Sequence, residues 1–181
     1  LKTFIRVFVS YALCIGIANA HIVLADQLAA AGSYYKATLR VGHGCGYEPT
    51  TAIIVKIPAG FEGAKPQPKF GWSLTIKKEP LSKPLKSHGK TITEDVVEIK
   101  WEANNKDFYL PNEQFDEFSF LTRLPTKSGP YCISVRQECT KGVNDWAEVP
   151  SSGNSTKGLK SPAALLELLP SQVTTNTNSL N

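Results

Sequence analysis

The chain has 181 residues, with 20 Lys and Arg against 16 Asp and Glu, a formal net charge of +4 and 41% hydrophobic residues. That length fits one domain, and so even a charge balance gives no footing for a nucleic-acid or membrane-surface binder. With four cysteines and three histidines in all, there is too little ligand material at metal spacing for a Cys/His zinc cage.

Residues 1–20 have the layout of a secretory signal. Lys2 and Arg6 form a positive start, Val7 to Ile17 an apolar run, and Ala18-Asn19-Ala20 the small residues a signal peptidase needs. The apolar run is shorter than the roughly 20 residues that span a bilayer, which argues against an anchor. Leu13 before Cys14 is too large for lipidation. Cleavage after Ala20 would remove two cations and no anions, taking the formal charge from +4 to +2. It would also make His21 the free N-terminus of a soluble periplasmic or secreted protein, with no membrane insertion once the signal is gone.

From there the pattern is mostly period two. "YYKATLRV" sets Tyr35, Ala37, Leu39 and Val41 on one face; "TAIIVKIP" does so with Ile53, Val55 and Ile57, and "GWSLTIKK" with Trp72, Leu74 and Ile76. The 77–90 stretch "KKEPLSKPLKSHGK" reads as a solvated loop, with His88 in it. "DVVEIKW" gives Val97, Ile99 and Trp101. "FDEFSFLTRL" gives Phe118, Phe120 and Leu124, with Glu117 of opposite parity. "YCISVRQEC" reads as one strand burying Ile133 and Val135. Turn signals such as "GHGCGYEP", "PAGFEG" and "LPTKSGP" separate these runs. "SPAALLELLPS", confined between Pro162 and Pro170, is expected to be a closing strand, and the polar residues 171–181 a disordered tail. Seven or more short strands without a convincing helix predict an all-β chain: an antiparallel β-sandwich over residues 21–170.

The chemistry candidates are few. An N-terminal histidine offers its α-amine and its ring Nδ1 to one metal, closing a six-membered chelate that suits Cu(II). His43, in the glycine-rich "VGHGCG" turn, reads as a turn residue. Once Cys14 leaves with the signal, Cys45, Cys132 and Cys139 remain, enough for one disulfide and one spare thiol in an oxidising compartment. Parity permits Cys45–Cys139, and the spacing also allows Cys45–Cys132. No G-x-S-x-G, H-E-x-x-H or phosphate-binding loop occurs, and Asp116 and Glu117 point to opposite faces of a strand, so no enzyme is expected.

The signal followed by His21, "AGSYYKATLRVGHGCGYEPTTAIIVKIPAGF", "KPQPKFGW", "FDEFSFLTRLP", "RQEC" and "NDWAEVP" occur in order. As a set they resemble the YcnI-like family of exported bacterial copper-binding proteins. The resemblance implies an immunoglobulin- or cupredoxin-like sandwich and a single-histidine brace for Cu(II) formed by His21. A carboxylate, Glu117, would assist, and Trp146 would pack close by. It also matches Cys45 and Cys139 to the family's cysteines, and it implies a non-enzymatic role in copper trafficking or homeostasis. The partners would be a copper ion and other copper-handling membrane or periplasmic proteins. Two alternatives stand beside it. One is a two-histidine-brace oxidative enzyme, for which His43 and His88 are the remaining histidines. The other is a metal-free structural β-domain.

Overall fold

The structure, a computed structural model, describes residues 21–87 and 89–171. The signal segment, His88 and residues 172–181 lie outside the described residues. Twelve strands run in chain order: β1 (Val23–Leu24), β2 (Leu28–Ala30), β3 (Tyr34–Val41), β4 (Thr50–Lys56), β5 (Glu62–Pro66), β6 (Trp72–Ser87), β7 (Lys90–Ala103), β8 (Asp116–Arg123), β9 (Gly129–Ile133), β10 (Val135–Cys139), β11 (Val143–Trp146) and β12 (Ala164–Leu169). Among the described residues a single 3-10 turn, Lys106–Phe108, is capped by the Asn105 side chain.

The strands form a four-stranded sheet ordered β1-β3-β8-β5, a five-stranded sheet ordered β11-β10-β4-β7-β6, and a three-stranded sheet ordered β2-β12-β9. All pairings are antiparallel except β2 with β12. The two larger sheets bury their alternating faces against one another. Ala37, Leu39 and Val41 of β3 and Phe118 and Phe120 of β8 meet Ile53 and Val55 of β4 and Ile99 and Trp101 of β7 in one core. Phe118 is its aromatic centre, edge-on to Trp72 at 5.0 Å and to Trp101 at 5.8 Å. Truncating so enclosed a ring to Ala costs about 3–5 kcal/mol.

Two sequence expectations change. The 77–90 stretch is not a loop: it forms the outer part of a long β6–β7 hairpin, in register from Trp72↔Ala103 to Ser87↔Lys90. Such composition can sit in a strand because β6 is a sheet edge. There lysines keep the edge from pairing with other chains, and an edge strand, unpaired along one side, tolerates prolines such as Pro80 and Pro84. The second change concerns "YCISVRQEC", which is two strands rather than one. β9 pairs with β12 and β10 with β4, so the chain changes sheets at Ser134 while Ile133 and Val135 both stay buried. Cys132 is half-buried on β9, opposite Leu165, and is the free cysteine among the described residues; its burial raises the thiol pKa. The 164–169 segment is the strand the flanking prolines favour.

Candidate metal centre

β1 and β11 are edge strands of the two large sheets, and the candidate site closes the gap between them. His21 lies just ahead of β1, and Trp146 ends β11. Their ring centroids are 5.6 Å apart with planes tilted by 55°. The indole is buried, at 6% exposure. On another side of it sits His43, ring centroid 5.9 Å away and edge-on at 81°. The structure thus brings two sequence-selected residues, His21 and Trp146, into contact, and adds His43.

The Nε2 atom of His21 is buried and has no hydrogen-bond partner among the described residues. An unpaired buried polar atom costs about 1–3 kcal/mol, a cost that packing alone does not explain. A ring that engages a metal through Nδ1 keeps its proton on Nε2, and an N–H enclosed beside an indole meets the electron-rich side of that ring system. The donor set of His21 therefore fits a brace once its backbone nitrogen is a free amine.

Glu117 is placed elsewhere. Its carboxylate accepts from Arg40 Nε at 2.9 Å on the exposed face of the four-stranded sheet. In the ladder Val23, Arg40 and Glu117 lie in one row. Two strand spacings and two residues of rise put the Cα atoms of His21 and Glu117 on the order of 12 Å apart. Among the described residues, no group of three or more His, Cys, Asp and Glu side chains could hold a metal ion.

The surroundings of Trp146 are fixed by a residue the sequence reading passed over. Gln137 of β10 is fully enclosed, at 0% exposure. Its Oε1 accepts from Trp146 Nε1 at 3.1 Å and from Asn144 Nδ2 at 3.3 Å. Its Nε2 donates to the His43 carbonyl at 2.6 Å and to Thr50 Oγ1 at 2.7 Å. The signal for it was present, since Gln137 has the parity of Val135 on a strand whose inner face is core. The disulfide Cys45–Cys139 ties the His43 turn to the end of β10 with Cα atoms 5.9 Å apart. Within the turn, Gly44 N donates to Asn112 Oδ1 at 3.1 Å, and His43 Nδ1 lies 2.5 Å from the Gly44 carbonyl, to which it donates. Gly44 is obligatory: a Cβ there would stand 1.8 Å from the Glu48 carbonyl oxygen. Trp72 and Trp101 are core residues, as their strand parity predicts.

Residues 21–168 match the family described as domain of unknown function DUF1775. A curated relative, the copper-binding protein CutI of Bacillus subtilis (strain 168), is 27% identical over 111 residues, 61% of this chain and 47% of that protein. The chain thus aligns with about half the length of that relative. Among solved structures, an uncharacterized protein from Nocardia farcinica with an immunoglobulin-like fold superposes with a TM-score of 0.63. It covers 82% of this chain and 98% of that one at 22% identity, a likeness of fold alone. With 21–168 matched end to end, the chain belongs to the YcnI-like family, the family of the DUF1775 domain.

Proposed function

We propose that this is an exported, non-enzymatic protein that holds Cu(II) at His21 after signal removal, for copper trafficking or homeostasis in the periplasm or outside the cell. The observation that carries the proposal is the His21 ring itself. It is packed on Trp146 with a buried Nε2 that has no hydrogen-bond partner among the described residues, at the residue where the family domain begins. The name of the B. subtilis relative supports copper as the metal. The disulfide supports an oxidising compartment, and no helix among the described residues is long and apolar enough to cross a membrane.

In this proposal the α-amine and Nδ1 of His21 bind the ion, displacing protons that leave readily near neutrality. Trp146 covers one side, limiting water and offering its π face to the cation. Glu117 supplies the carboxylate by leaving Arg40 as the first residues adjust. That exchange is cheap, because an exposed ion pair is worth about 0–1 kcal/mol. So few strong donors suit a cargo ion that must later be surrendered.

The test is a Cu(II) titration of the protein beginning at His21, read by tryptophan fluorescence. The expected result is quenching that saturates at one equivalent, is lost in His21→Ala and shrinks sharply in Trp146→Phe. Quenching that survives His21→Ala would refute the proposal. A second reading, an oxidative enzyme with a two-histidine brace, draws on the position of His43 beside the same indole. It requires turnover of reductant with oxygen by the copper-loaded protein, and loss of that turnover in His43→Ala.

A further inference from the structure

We infer that Gln137 is the positioning residue of the copper site, setting which part of Trp146 meets the metal-bearing residue and fixing the His43 turn through the same amide. This rests on the copper proposal above and adds to it the device that organises the site.

An amide side chain has two N–H donors and two acceptor lone pairs. Gln137 uses all four, toward Trp146 Nε1, Asn144 Nδ2, the His43 carbonyl and Thr50 Oγ1. Its orientation is therefore determined by its partners. Turned over, it would set its own N–H groups against the indole N–H and its oxygen against the His43 carbonyl. Two consequences follow for the site. The only polar side-chain atom of Trp146 is committed to Gln137, so the indole can offer His21 nothing but its ring surface. The carbonyl of His43, whose ring touches that same indole, is gripped by the opposite end of the same amide.

Packing does not call for glutamine here. Gln137 stands opposite Ile53 in the ladder, Ile53 stands opposite Trp101, and Val135 two residues earlier is an apolar core residue. An aliphatic side chain would fill this position of the sheet. A wholly buried polar hub at an otherwise apolar level is costly unless every group is paired, and here each one is paired to a residue at or beside the site.

The experiment uses the chain beginning at His21, loaded with one equivalent of Cu(II). It compares wild type, Gln137→Leu, Gln137→Glu, Trp146→Phe and the Gln137→Leu/Trp146→Phe double variant. Readouts are the Cu(II) electron paramagnetic resonance spectrum, the rate of copper release to a chelator, and thermal unfolding as a control. A positioning role predicts at least tenfold faster release and a changed spectrum in Gln137→Leu. It predicts a smaller but distinct acceleration in Gln137→Glu, which keeps an acceptor for the indole and sets a carboxylate oxygen against the His43 carbonyl in place of the amide donor. It also predicts no further change in the double variant beyond either single one. A Gln137→Leu protein with a lowered Tm but wild-type spectrum and release rate would overturn the inference and leave copper binding intact. If Gln137→Leu fails to fold, Trp146→Phe, which removes the same N–H bond and keeps an aromatic ring, decides the matter: wild-type release there overturns the inference. Absence of Cu(II) binding by the wild-type chain would instead sink the copper proposal, before Gln137 is reached.

Discussion

The 42–48 turn and the outer half of the β6–β7 hairpin are both surface connections, and they are held in opposite ways. The turn is tied to distant parts of the chain: by disulfide to Cys139, by Gly44 to Asn112, by the His43 carbonyl to Gln137, and by Glu48 to the Thr140 hydroxyl at 2.5 Å. The hairpin arm beyond Lys78 is tied mostly to itself, through its own ladder and exposed pairs such as Lys78–Glu94 at 3.3 Å. Its register slips between Pro80 and Leu85. Asp95 accepts from Gly63 N at 2.9 Å and joins the arm to β5. Long-range constraint is therefore concentrated at the end of the sandwich where His21 meets Trp146. The arm is a solvated edge whose shape matters little to that site.

The strongest way to break this contrast is to open the disulfide. Cys45 and Cys139 are 94 residues apart in sequence, and closing a loop of that length is worth about 4.7 kcal/mol in the unfolded chain. Paired Cys45→Ser/Cys139→Ser replacement is expected to lower stability by that amount in urea unfolding, and to weaken copper retention as the His43 turn loosens. Next in size is Gly44→Ala. Its methyl would collide with backbone at Glu48, and a loss of about 2–3 kcal/mol is expected, measurable by the same unfolding curves. Gly89→Ala at the arm tip, where φ is +76° but no atom lies within 4 Å of the added carbon, is the matched control. It should cost only the conformational penalty of a positive φ, about 1 kcal/mol.

A pH dependence sharpens the contrast further. The Thr140 hydroxyl first, and the Lys141 ammonium after it, lower the carboxyl pKa of Glu48 in the folded protein. A depressed carboxylate contributes stability that is present above its unfolded pKa and is lost as pH falls through the folded value. Glu48→Gln should therefore lower stability slightly at neutral pH, where that contribution is fully present, and flatten the acid limb of the stability profile below about pH 4.5, the ordinary value, so that the two proteins converge in acid. Smallest of all is Lys78→Ala in the arm. Both partners of its ion pair are more than half exposed, so the change should stay within about 0.5 kcal/mol.

The core strands were legible in the sequence because alternation there answers to a single buried face. Ala37, Leu39 and Val41, or Phe118 and Phe120, announce it without help. β1 and β2 were not, since strands of two and three residues carry no period. The arm was hidden because its strand character comes from a sheet edge and not from burial. The split at Ser134 was hidden because parity runs unbroken through a change of sheet. At the site, His21 and Trp146 were each legible as single residues. Their contact was not, because it depends on two sheet edges brought together by the fold. The Arg40–Glu117 pair likewise needs the β3–β8 register. Gln137 was within reach of parity alone, as a polar residue at a core position.

The central claim is that copper is held by His21 as a chain terminus. Its most direct test is the electron paramagnetic resonance spectrum of Cu(II) bound to the protein starting at His21, beside the same protein extended by one residue. The account predicts nitrogen hyperfine structure from one equivalent of copper in the first, and severe weakening of binding in the second. Equal binding by the two forms, or none by either, would contradict it.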